Sequence, residues 1–149
     1  MHRFKWLFQD DRASTGGQGS VRIAPPDSLR FDVMGPFGAN PTAAVVVGDS
    51  SRWVRPEDAV EQMIPNYPLM WAMFGIVRQP HPDAVVRGFR DQESTVWQYA
   101  RGVDTVEYAR LERGEPKLMA IVRRAGEVVG LVETRLSDDG VPLKARLIV

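Results

Sequence analysis

Cysteine is absent from the 149 residues, and histidine occurs only at His2 and His81. Disulfides, a thiolate nucleophile and cysteine metal sites are excluded, and two histidines are too few for a histidine-rich metal centre. Net charge is lacking too, because 19 basic side chains balance 19 acidic ones. A dedicated nucleic-acid binder carries a basic patch or stripe, whereas here the basic residues are spread along the chain, often beside acids. Long apolar runs are missing. The longest, Leu69–Val77, has nine residues, against the roughly 20 that a membrane-spanning helix needs. Met1–Asp11 has neither the apolar core nor the small-residue cleavage site of a secretory leader. The chain as given reads as soluble, with no export signal.

Hydrophobic residues make up 44% and charged residues 26% of the chain, a globular balance that argues against disorder. The length suits one domain spanning 1–149.

Period-two alternation dominates, as expected of strands with one buried face. Phe4, Trp6 and Phe8 alternate with Arg3, Lys5 and Leu7. Val21 and Ile23 alternate with Ser20 and Arg22; Leu29, Phe31 and Val33 with Arg30 and Asp32; Val85, Arg87 and Phe89 with Val86, Gly88 and Arg90. At the C-terminus Leu143, Ala145, Leu147 and Val149 share one face, with Lys144 and Arg146 on the other. Turn signals fall between these runs: Ser14–Gly19, Pro25–Ser28, Gly35–Gly38, Gly48–Ser50, Asp91-Gln92, Gly102, Arg113–Glu115, Ala125–Glu127 and Asp138–Gly140. The count comes to about ten or eleven strands, with sequence neighbours antiparallel.

One segment departs from this pattern. Pro56-Glu57-Asp58 has the proline and acids of a helix start, followed by Val60, Met63 and Ile64 at helical spacing. Pro65–Pro68 interrupts, and Leu69–Phe74 opens a second short helix ending near Gly75. That helix is apolar on nearly every face, so it needs cover on most sides. The expected class is α+β: a curved antiparallel sheet forming an incomplete β-barrel, closed by two short helices.

Pro25–Gly38 reads PPDSLRFDVMGPFG. It resembles the "P-x-x-L-R-L-x-V-x-G-P-L-G" strand and turn of the LolB-like branch of the bacterial LolA/LolB lipoprotein-localisation proteins. The following strand, the Arg52-Trp53 strand, the helical segment and the charged C-terminal meander come in that family's order, over essentially the whole chain. The resemblance implies an incomplete, roughly eleven-stranded barrel with a helical lid. It implies a lipid or acylated-lipoprotein cargo, and a location in the periplasm or at the periplasmic face of the outer membrane if a leader precedes Met1. Phe37 matches the apolar tip residue that serves membrane delivery in that branch, so transient membrane contact through the Phe37 loop is implied.

The candidate cargo and lid residues are Phe31, Val33, Met63, Ile64, Leu69, Met70, Met73 and Phe74. Methionine suits such a surface because its thioether repacks around varied apolar ligands; the plain alternative is a core plug. Trp6, Trp53, Trp71 and Trp97 are core or cavity lining, and Arg22, Arg30 and Arg52 are candidates for contact with lipid head groups or cargo, the plainer alternative being a solvated strand face. No catalytic constellation is visible. Asp10-Asp11 and Asp138-Asp139 sit in turn contexts, His81 lies between prolines, and Gly16-Gly17-Gln18-Gly19 lacks the lysine and helix of a phosphate loop. The expected function is non-catalytic binding and transfer of a hydrophobic cargo, with no cofactor and no metal. The alternative is a structural or protein-interaction module of the same fold with a filled core.

Overall fold

The computed structural model describes residues 1–39, 41–48, 50–55 and 67–149, with 50–55 as backbone only. The chain divides into two compact units, Met1–Gln62 and Met63–Val149.

The first unit is an antiparallel five-stranded sheet in sequential order: β1 (His2–Gln9), β2 (Ser14–Ala24), β3 (Ser28–Met34), β4 (Thr42–Val47) and β5 (Ser50–Arg55). Directly opposed residues of an antiparallel pair point to the same side. The register Val21↔Phe31↔Ala44 and Ile23↔Leu29↔Val46 therefore stacks the apolar positions of three strands on one face. Val21, Leu29, Phe31, Ala44 and Val46 are buried there. Arg22, Arg30 and Asp32 share the other face, where the Arg30 guanidinium donates to both Asp32 carboxylate oxygens.

The β1–β2 turn is not at Ser14–Gly19. It lies at Asp10–Ala13, where the Asp10 carboxylate accepts from the Arg12 and Ala13 backbone N–H groups at 2.8 and 2.7 Å. An aspartate that bonds its own backbone two residues on makes a complete turn without glycine. The glycines stay in β2, which continues through them.

The second unit is a six-stranded antiparallel meander, β6 (Val85–Arg90), β7 (Ser94–Arg101), β8 (Asp104–Leu111), β9 (Lys117–Arg124), β10 (Glu127–Leu136) and β11 (Pro142–Ile148), preceded by the helix α1 (Tyr67–Met73). Its core is Leu69, Ala72, Tyr108, Leu118, Ala120, Val122, Val132 and Leu136. Burial pushes the Tyr108 phenol well above its usual range, so its hydroxyl stays neutral.

Two contacts seat α1 on β10, and a glycine ends it. Gly130 leaves room for Leu69, since a Cβ there would lie 2.8 Å from the Leu69 Cδ1. The Thr134 hydroxyl donates to the Ala72 carbonyl at 2.7 Å, a buried bond to one of the last carbonyls of the helix, which have no partner within it. Gly75, at φ +75°, ends the helix. The Ile76 N–H bonds the Trp71 carbonyl and the Gly75 N–H the Ala72 carbonyl, the paired closure of a Schellman end.

These observations correct the expected architecture. Among the described residues there are two separate antiparallel sheets, one α-helix and no closed barrel, rather than one curved sheet closed by two short helices. The ladder breaks because β5 pairs only with β4 and β6 only with β7 among the described residues. Gly75 ends the described helix just past Met73. The earlier helix expected from Pro56, with Met63 and Ile64, lies outside the described residues.

The β9–β10 turn carries a local strain. Its two residues, Ala125 and Gly126, both have positive φ, +50° and +86°, as a type I′ hairpin turn requires. Alanine is poorly suited to the first position, whereas asparagine is a preferred residue there. Ala125→Asn is expected to stabilise the chain by about 0.5–1 kcal/mol. The urea midpoint should rise with no change in m; an unchanged or lower midpoint would refute the strain assignment.

Candidate functional site: the Phe37 loop

Where β3 ends, Gly35-Pro36-Phe37-Gly38 folds into a tight turn. The Gly38 N–H bonds the Gly35 carbonyl at 3.2 Å and the Ala39 N–H bonds the Pro36 carbonyl at 3.1 Å. The Gly35 N–H bonds the Ala39 carbonyl at 2.8 Å and closes the neck. Pro36 presets one φ, and Phe37 follows at φ +58°, ψ +23°. Proline followed by a positive φ is the type II arrangement, in which glycine normally takes the third position. A phenylalanine there is strained, and its ring is fully exposed. Strain and solvent-facing apolar surface, both unfavourable to the folded chain, fall on one residue.

The loop stands on a rigid base. The Trp6 indole N–H donates to the Met34 carbonyl at 3.2 Å, tying β1 across β2 to the end of β3. Trp6 crosses β2 directly opposite Gly17. A Cβ at Gly17 would sit 1.9 Å from the Met34 carbonyl oxygen and 2.9 Å from the Trp6 indole nitrogen. One step along, Phe4 lies over Gly19, where a Cβ would meet the ring at 2.4 Å, and stacks on Phe31 with centroids 5.5 Å apart. Aromatic rings from β1 thus cover glycines of β2 to reach β3, a known remedy for glycine inside a strand.

Beside the loop is an open cleft of about 530 Å³, lined by Lys5, Gly17, Gln18, Met34 and Gly35–Gly38. Met34 is exposed, and so is Leu7, which stands on the same sheet face one row beyond Lys5. The site is therefore an exposed aromatic tip with two exposed aliphatic neighbours and one lysine. A smaller hollow of about 230 Å³ lies at the β2–β3 hairpin beside Arg22, Leu29, Arg30 and Val45.

The candidate cargo and lid residues fall into separate places. Phe31 is buried and Val33 half-buried in β3 of the first unit. In the second unit Leu69 and Met70 are buried in α1, Met73 is half-buried against the core, and Phe74 is half-buried just past the helix. Met63 and Ile64, and the side chains of Arg52 and Trp53, lie outside the described residues. Trp97 packs at the margin of the second unit's core, and Trp71 is buried.

Among the acids, Asp10 holds its own turn. His81 Nδ1 accepts from the Asp83 N–H at 3.2 Å and lies 3.3 Å from the Asp83 carboxylate. No group of three histidine, aspartate or glutamate residues suited to a metal occurs among the described residues. The Trp6–Gly17–Met34 base was missed in sequence. Its signal was the shared period of two in Phe4/Trp6 and Gly17/Gly19, which places rings over glycines once β1 and β2 pair.

No family model, curated protein or solved structure matches the chain.

Proposed function

We propose that this chain binds and passes on a hydrophobic cargo, a lipid or the acyl chains of a lipoprotein, in the bacterial cell envelope, without chemistry of its own. In this reading Phe37 is the tip through which it touches the membrane or the acylated cargo. One observation carries it: a fully exposed phenylalanine held at positive φ on a turn stapled from below by Trp6. A position that favours glycine for stability, and carries a bare aromatic ring instead, has the signature of a residue kept for contact. Inserting the ring into an apolar phase contributes about 1.5–3 kcal/mol. With Leu7 and Met34 alongside, that suits reversible docking.

Phe37→Gly gives this reading its test, because its two effects have opposite signs. Stability is expected to rise by about 0.5–1 kcal/mol as the left-handed strain is relieved. Affinity for phosphatidylcholine–phosphatidylglycerol vesicles is expected to fall about tenfold or more. Urea melts and vesicle flotation read the two separately. A variant that floats like the parent chain sinks the docking role.

The alternative is a protein-interaction module with a filled core. The complete burial of Leu69 and Met70 favours it, since α1 is then a core element rather than a cover over empty space. A fluorescent fatty acid separates the two readings: saturable uptake by the purified chain supports cargo binding, and its absence supports the module.

A further inference from the structure

Among strands whose side chains are described, β6 alone exposes every residue. The other strands with described side chains bury or half-bury at least one face, but among the described residues β6 is joined to its sheet only through β7. By alternation, Val85, Arg87 and Phe89 point to one side and Val86, Gly88 and Arg90 to the other. Each side therefore carries an apolar group and an arginine. Val85, Val86 and Phe89 are 59%, 53% and 63% exposed. A sheet edge with bare apolar side chains and unpaired backbone groups is a template for another strand.

The charges specify that strand. In the same sheet two cations are answered by acids on neighbouring strands, Arg124 by Asp104 at 3.0 Å and Lys117 by Glu133 at 3.9 Å. Across β7, Arg87 faces Gln98 and Arg90 faces Thr95, and β7 contains no acid. Neither arginine has an ion-pair partner among the described residues. A second copy of β6 would bring arginines beside arginines with no acid between them.

We propose that β6 is a docking edge for an extended acidic segment of a partner protein, added as a further antiparallel strand. Its backbone would continue the ladder, its acids would stand opposite Arg87 and Arg90, and apolar residues between them would cover Phe89 and Val86. The arginines then have two roles. They discourage pairing with neutral or basic edges and select an acidic one.

The spacing of Arg87 and Arg90 dictates the probe. Labelled Glu-Val-Thr-Glu-Val-Thr sets a glutamate opposite each arginine and a valine opposite Phe89 and Val86 when it runs antiparallel. It is expected to bind the full chain about tenfold more tightly than Lys-Val-Thr-Lys-Val-Thr, and to slow amide exchange at 85–90. The double variant R87E/R90E, altered only at exposed positions, is expected to reverse that preference, while Phe37→Gly leaves it intact. Equal binding of the two peptides overturns the proposal, as does protection at 85–90 that rises with protein concentration in the absence of peptide, which would mean self-pairing. Vesicle binding by Phe37 is read independently, so failure of the docking loop and failure of this edge are distinguishable.

Discussion

Gly17→Ala is expected to destabilise the first unit by about 3 kcal/mol, at the upper end of what overpacking costs. The new methyl group would lie 1.9 Å from the Met34 carbonyl oxygen, and that carbonyl accepts the Trp6 indole bond. A side chain in the way could rotate aside. A backbone carbonyl in a strand end can move only if β3 shifts from β2, which takes the Phe37 loop with it. The midpoint of urea unfolding should fall, and amide exchange should accelerate at the end of β3 and in Gly35–Gly38. Truncation at Trp6 should not rescue Gly17→Ala, because the collision is with backbone. At Gly19 the nearest atoms belong to the Phe4 ring, so Phe4→Ala should partly rescue Gly19→Ala. A loss below about 1 kcal/mol for Gly17→Ala would mean that the strand yields easily, and the rigid base for the loop would have to be abandoned.

Leu69→Ala is expected to cost the second unit about 3 kcal/mol, within the usual range for a fully buried leucine. Leu69 lies in the core with Tyr108, Leu118, Ala120, Val122 and Val132. Truncation removes its transfer free energy and leaves a void that a close-packed sheet cannot collapse to fill. The midpoint should drop with m retained. Gly130 adds a sharper test. A Cβ there points at the Leu69 Cδ1, so the methyl of Gly130→Ala would enter the space that Leu69→Ala vacates. The double variant should lose less than the sum of the two single losses. Strict additivity would show that Leu69 does not rest on Gly130, and the seating of α1 would need another account.

Much of the strand pattern was legible because alternation is a local property. In β1, Phe4, Trp6 and Phe8 are half-buried while Arg3, Lys5 and Leu7 are exposed, in the order the sequence alternates. The stop at Gly75 was legible for the same reason, since a left-handed helix end favours glycine. β11 shows where local reading ends. Alternation groups Leu143 with Ala145, Leu147 and Val149, yet Leu143 is exposed, because it is the extra residue of a bulge: Arg135 faces Lys144 and Leu136 faces Pro142, with Leu143 left between them. A bulged residue stands outside the ladder and bends its strand, and side-chain alternation within β11 does not record which residue its partner skips. β6 reads as a strand from its sequence, but each of its faces carries an apolar group and an arginine, and nothing in that pattern says whether either face is covered.

By itself, then, the sequence determined most of the segments that extend and most of the turns between them, that no thiol chemistry is open to it and that Phe37 sits between turn-forming residues. These follow from side-chain shape, backbone preference and composition, all acting within a few residues. The tertiary structure decided the rest. It divided the strands into two sheets, kept the Gly16–Gly19 run inside a strand under aromatic rings, buried α1 on Gly130 and left the Phe37 ring bare. Each of these depends on how closely backbones distant in sequence approach one another. That distance is set by long-range pairing, where a missing Cβ at Gly17 or Gly130 matters as much as any side chain present.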